Sequence, residues 1–71
     1  MPIELHNKED FLKVVERALE IRVKACEDKG FAKVKARTKK YLYTIKISID
    51  ELDSFINEVK SKAPGIEVVY F

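Results

Sequence analysis

The sequence predicts a small α+β domain of order α-β-β-β-α-β, in which an antiparallel sheet carries both helices on one face. Three observations predict it. An apolar stripe at helical spacing runs from Phe11 to Leu19, and from Glu20 the period falls to 2 and stays there through Ile47. Ser48-Ile49-Asp50-Glu51 then reads as a capping box opening a second helical stripe.

Pro2 to Leu5 is a short, extended lead-in. Asn7 is a good N-cap, with Glu9 and Asp10 in the first turn, where the helix dipole favours negative charge. Phe11, Val14, Val15, Ala18 and Leu19 form the apolar side of an amphipathic helix of about three turns, leaving Lys13, Glu16 and Arg17 on the other side. Next, Ile21, Val23 and Ala25 alternate with Arg22, Lys24 and Cys26 as a half-buried strand. Glu27-Asp28-Lys29-Gly30 supplies a turn, with Gly30 the expected site of positive φ.

The second and third strands set Ala32, Val34, Ala36 and Thr38 inward on one, and Tyr41, Tyr43, Ile45 and Ile47 inward on the other. A two-residue loop at Lys39-Lys40 would place Ala36 opposite Tyr43, Val34 opposite Ile45 and Ala32 opposite Ile47, so that inward residues meet inward residues. Lys-Lys suits a type I′ turn poorly, which leaves a longer loop open. In the last helix Leu52, Phe55, Ile56 and Val59 make the stripe, Lys60 and Lys62 suit its C-terminus, and Pro64-Gly65 ends it. Ile66 to Phe71 is a terminal strand, with its pairing partner open.

Length bounds the rest. The chain has 71 residues, read as a single domain over 1–71 without linker or repeat, and its one cysteine cannot form an internal disulfide. No apolar run approaches the length of a membrane span, and Met1-Pro2-Ile3-Glu4 lacks the marks of a signal peptide, so a cytosolic, soluble protein with no membrane partner is expected.

A net charge of +2 conceals a sided distribution, because Lys29 to Lys46 contains seven cations and no acid. With the helices covering the apolar face, the opposite face carries Arg22, Lys24, Lys33, Lys35, Arg37 and Lys46, and the hairpin tip adds Lys39 and Lys40. Lys33 falls opposite Lys46 in this register, and like charges facing each other destabilise a sheet, so the face is arranged for an absent anion. A surface built only for solubility usually mixes signs, and nucleic acid is therefore the favoured partner. Tyr43 has core parity, whereas Tyr41, beside the tip, is open to packing or to stacking on a base or ribose. Phe31 shares the parity of Lys33 and Lys35. The chain lacks a central aromatic pair of the RRM kind, so shape and backbone recognition of structured RNA fits better than base-specific stacking.

Catalysis finds no support. His6 precedes the first helix, Cys26 has no neighbouring base in sequence, and the paired carboxylates Glu9-Asp10 and Asp50-Glu51 are explained by helix N-termini. Metal-ligand spacing and a Gly-rich phosphate loop are absent. No cofactor and no small-molecule substrate are expected.

The run Lys35-Ala-Arg37-Thr-Lys39-Lys40-Tyr41-Leu42-Tyr43-Thr44 resembles the signature of the large-subunit ribosomal protein family L-thirty-eight-e, in which a basic strand and a short basic turn precede Tyr-Leu-Tyr-Thr. Asp10-Phe11-Leu12, the hairpin spacing, the second helix and the Pro64-Gly65 break follow in matching order, so the resemblance covers nearly the whole chain. The Met-Pro-Ile-Glu-Leu start and Val-Val-Tyr-Phe ending resemble archaeal members more than eukaryotic ones. The resemblance implies a non-catalytic domain in the cytoplasmic ribosome, held against large-subunit ribosomal RNA beside neighbouring ribosomal proteins. It implies Lys35, Arg37, Lys39, Lys40 and Tyr41 as RNA contacts, to which sheet parity adds Lys24, Lys33 and Lys46. The alternative is a small non-ribosomal adaptor whose sheet binds structured RNA or an acidic protein.

Overall fold

The computed structural model describes residues 2–70; Met1 and Phe71, the ends of the lead-in and of the expected last strand, lie outside the described residues. Among the described residues the order is β1 (Pro2–Leu5), α1 (Lys8–Val15), β2 (Glu20–Cys26), β3 (Phe31–Arg37), β4 (Leu42–Ser48), α2 (Ile49–Lys62) and β5 (Glu67–Tyr70). The strands form one sheet in the order β1-β4-β3-β2-β5.

The expected antiparallel sheet is corrected to a mixed one of five strands. The lead-in is a strand, β1, paired in parallel with β4 so that Ile3 faces Tyr43 and Leu5 faces Ile45. The last strand adds to the other edge, parallel to β2, with Val68 facing Ile21. The sheet is therefore mixed: an antiparallel meander, as read, with a parallel strand on each side. Segments of four residues carry too short a pattern to show which edge they will join.

Topology explains why both helices share a face. β1 connects to β2 through α1, and β4 to β5 through α2; both crossovers join parallel strands and step in the same direction across the sheet. A common right-handed preference then puts both helices on the same side. Phe11, Val14 and Val15 of α1 and Phe55, Ile56 and Val59 of α2 are buried there with Ile21, Val23, Ala32, Val34, Ala36, Ile45 and Ile47 of the sheet. The Phe11 and Phe55 rings, with centroids 5.7 Å apart, join helix to helix. Small Ala32 and Ala36 sit on the central strand opposite the larger Ile47 and Tyr43, the alternation that lets layers interlock.

The β3–β4 register is the one the inward pattern demands, from Arg37 opposite Leu42 to Phe31 opposite Ser48. Gly30 has φ +77° and closes the β2–β3 connection, its N–H donating to the Cys26 carbonyl at 3.0 Å. Ala25, read as inward, is exposed; it lies beyond Val23, where the β2–β5 pairing ends among the described residues.

Asn7 caps α1 as expected, its side chain accepting from the Glu9 N–H at 2.8 Å. The helix nevertheless ends at Val15, and Arg17 and Ala18 turn back on Val14 and Val15 through N–H to carbonyl bonds of 3.0 and 3.1 Å. Leu19, expected in the stripe, is 57% exposed, and its N–H is drawn to the Arg37 carbonyl at 2.7 Å. Entry into β2 prevails over the helical period. Ser48 occupies the N-cap of α2, but its side chain makes no bond to the helix backbone, so the capping box is not closed. Glu51 pairs instead with Lys8 at 2.7 Å, linking the first turns of the two helices.

Candidate nucleic-acid interface

The alternation that buries one side of the sheet turns every second residue of β2, β3 and β4 to the open side. In register, Lys46, Lys33 and Lys24 form one row across β4, β3 and β2. Lys35 and Arg22 are directly opposed in the next row, and Arg37 lies beyond them toward the hairpin tip. Among the described residues Lys24, Lys33, Lys35 and Arg37 have no acidic side chain within ion-pair distance. A folded chain that sets lysines directly opposite one another accepts a repulsion of roughly 0.2–1 kcal/mol per pair.

Acid also lies on this surface. Glu4 on β1 lies 3.9 Å from the Lys46 ammonium, and Glu20 on β2 is bonded to the Arg22 guanidinium. Glu67 on β5 is opposite Glu20. The acids read on the helices and in the first turn are thus joined by three on strands: Glu4 and Glu67 on the outer strands, and Glu20 on interior β2, opposite Arg37. Phe31 lies on this side, half-buried, with the Lys46 ammonium 5.4 Å from its ring centre.

The tip is built without left-handed backbone, since no non-glycine residue among the described ones has positive φ; a type I′ turn is excluded. Thr38 closes the loop. Its N–H donates to the Tyr41 carbonyl at 2.9 Å, and its hydroxyl donates to the same carbonyl at 2.7 Å and accepts from the Tyr41 N–H at 3.0 Å. Lys39 and Lys40 are left exposed at the turn.

Of the residues expected to contact RNA, the structure gathers Lys35, Arg37, Lys39, Lys40 and Tyr41 around one open groove of about 490 Å³, together with Arg22. Lys24, Lys33 and Lys46 line the sheet farther from the tip and do not belong to that groove. Tyr43 is half-buried against the core, in keeping with its parity, while Tyr41 is 45% exposed. The two rings meet edge to face at 6.1 Å.

Sequence reasoning missed Arg17. The helical stripe, extended through Leu19, put it on a solvent-facing helix side, whereas the early end of α1 carries it to the tip, where it lines a second groove with Lys39, Lys40, Tyr41 and Tyr43. No Gly or Pro between Glu16 and Leu19 announces that stop.

Among the described residues no group of three His, Cys, Asp or Glu side chains is placed to hold a metal ion, and no helix is long and apolar enough to cross a membrane. The arrangement offers fixed positive charge, hydroxyls and one exposed aromatic ring, which suit phosphate and base surfaces.

No protein-family model matches the chain. It is 46% identical over 66 residues to the large ribosomal subunit protein eL38 of Aeropyrum pernix, an alignment covering 93% of this chain and 96% of that protein. Identity of that extent means that the chain belongs to the eL38 family of large ribosomal subunit proteins.

Proposed function

We propose that the protein is a structural component of the large subunit of the cytoplasmic ribosome and binds ribosomal RNA through the open basic face and the hairpin tip. Family membership supports the ribosomal role, and with it a place beside other ribosomal proteins and no catalytic activity. The observation that carries the RNA reading is the row Lys46–Lys33–Lys24 with the opposed pair Arg22 and Lys35 beside it. Phosphates laid along the face turn the repulsion centred on Lys33 into shared attraction, and Lys39 and Lys40 extend the track past the end of the sheet. Glu4 on β1 and Glu67 on β5 disfavour phosphate along the two outer strands.

If about six cations meet phosphates, the logarithm of affinity for large-subunit ribosomal RNA should fall with log salt at a slope of roughly −4 to −5. A slope near zero would reject phosphate binding. In a high-salt sucrose gradient the protein should stay with the large subunit while loosely held factors wash off. Recovery only in the soluble fraction would favour an adaptor outside the ribosome.

A further inference from the structure

The hairpin tip is grooved on both sides. One groove opens on the basic sheet face; the other lies on the helix side, between the tip and the turn that follows α1. It encloses about 590 Å³ and is lined by Arg17, Thr38, Lys39, Lys40, Tyr41 and Tyr43. That volume lies within the ~300–1,000 Å³ of ordinary small-ligand sites, room for one nucleotide and far too little for a duplex.

Its construction is specific. The early stop of α1 and the bond from the Leu19 N–H to the Arg37 carbonyl, 2.7 Å, bring the turn carrying Arg17 against the base of the hairpin. Tyr43, packed against the core, meets the Tyr41 ring at 6.1 Å with an interplanar angle of 70° and so braces it. Tyr41 keeps 45% of its surface in water. A braced, exposed ring with cations around it and no acid in the lining is the combination that receives a base and its phosphate.

We propose that this helix-side groove takes one unpaired nucleotide of the bound RNA, its base stacked on Tyr41 and its phosphate held by Arg17 and the tip lysines. The proposal rests on the RNA-binding reading above and adds a second contact on the opposite side of the sheet. The hairpin then grips RNA from both sides, with backbone on the open face and an extruded nucleotide behind the tip.

The test uses the full chain, a fluorescent oligouridine and transcribed large-subunit ribosomal RNA. Arg17→Gln and Tyr41→Leu should each weaken oligouridine binding about tenfold or more. Lys13→Gln removes the same charge as Arg17→Gln but from the groove of α1 that contains Glu9, Glu16 and Lys62, and should change it less than about twofold. Far-UV circular dichroism confirms that each variant is folded. Equal weakening by Arg17→Gln and Lys13→Gln would overturn the groove assignment, as would a wild-type protein that binds the ribosomal RNA but not oligouridine; both leave the open-face reading standing. Failure of the wild type to bind ribosomal RNA in a salt-dependent way would overturn that reading and the groove with it.

Discussion

Lys33 faces Lys46 directly across the β3–β4 ladder, on the side of the sheet that no helix covers. Lys24 faces Lys33 from the other flank, so one ammonium stands between two others with no acidic partner of its own among the described residues. Lys46 at one end of the row has Glu4 and the Phe31 ring as partners, but Lys33 in its middle has no such compensation, which agrees with the proposed binding of an anion on this face.

Reversing the central charge should separate the two roles. Lys33→Glu converts two repulsive neighbours into attractive ones and should stabilise the isolated protein by about 1 kcal/mol, which in a domain of this size raises the melting temperature by roughly 4–8 °C. The same change should weaken ribosomal RNA binding and reduce the salt slope. A melting temperature that falls instead would show that Lys33 supports the free fold and would remove the reason for assigning it to RNA.

Thr38 governs the shape of the tip. Its hydroxyl makes two bonds to the Tyr41 backbone, 2.7 and 3.0 Å, at a loop too short of glycine to use a left-handed turn. Thr38→Val keeps the volume and deletes both bonds, and should cost about 1 kcal/mol of stability. Amide hydrogen exchange at Tyr41 should quicken by more than the global loss explains, because the loop loosens locally. Thr38→Ser should restore protection. Unchanged exchange in Thr38→Val would mean that the backbone bond from the Thr38 N–H holds the loop by itself.

The contact between the helix starts has a pH signature. The Lys8 ammonium, by hydrogen bond and then by charge, holds the Glu51 carboxyl below the usual carboxylate range, and the Ser48 hydroxyl adds a smaller lowering. A carboxyl depressed in the folded state contributes stability above its unfolded value and loses it as pH falls through the folded one. Both partners are exposed, so the effect on melting should be slight. The clear readout is the titration itself: Lys8→Met should raise the Glu51 value toward that of an ordinary glutamate, followed by carboxyl NMR. No movement would break the link between the helices.

The same residues show what could be read in the chain and what could not. The meander and its register were legible because a slip of one residue would throw Val34 and Ile45 out of the core, so the pattern admits a single pairing. The open-face cations followed from parity alone. By contrast, Ile3 and Leu5 are too few to announce β1, and their place beside Tyr43 and Ile45 is decided by α1 crossing the sheet. Arg17 was lost for a related reason. Ala18 and Leu19 continue a helical period, yet the need to start β2 at Glu20 opposite Arg37 unwinds the last turn, and only a long-range contact carries that information. The capping box was legible as a motif but not as a set of bonds, since Lys8 lies 43 residues from Glu51 in sequence and takes the carboxylate.

Two substitutions on β3, three positions apart, test the division of the sheet into faces. Val34 is fully buried on β3 between Val23 and Ile45, and Val34→Asp places an unpaired charge there. That costs several kcal/mol, comparable to the roughly 3–5 kcal/mol that a core of this size supplies, so the variant should be unfolded by circular dichroism at room temperature. Arg37, at the end of the same strand, is exposed and lines the groove on the basic face. Arg37→Glu sets a second carboxylate opposite Glu20, which costs about 1 kcal/mol and lowers the melting temperature by roughly 4–8 °C, but should keep the fold, and should weaken ribosomal RNA binding by tenfold or more at low salt, the loss shrinking as salt screens the new charge. Adding RNA should raise the melting temperature of the wild type, since a ligand at a thousand times its Kd contributes about 4 kcal/mol, and should raise that of Arg37→Glu far less. If Arg37→Glu unfolded the chain as Val34→Asp does, the two faces would not be the independent surfaces that the burial pattern describes, and the RNA assignment would lose its structural basis.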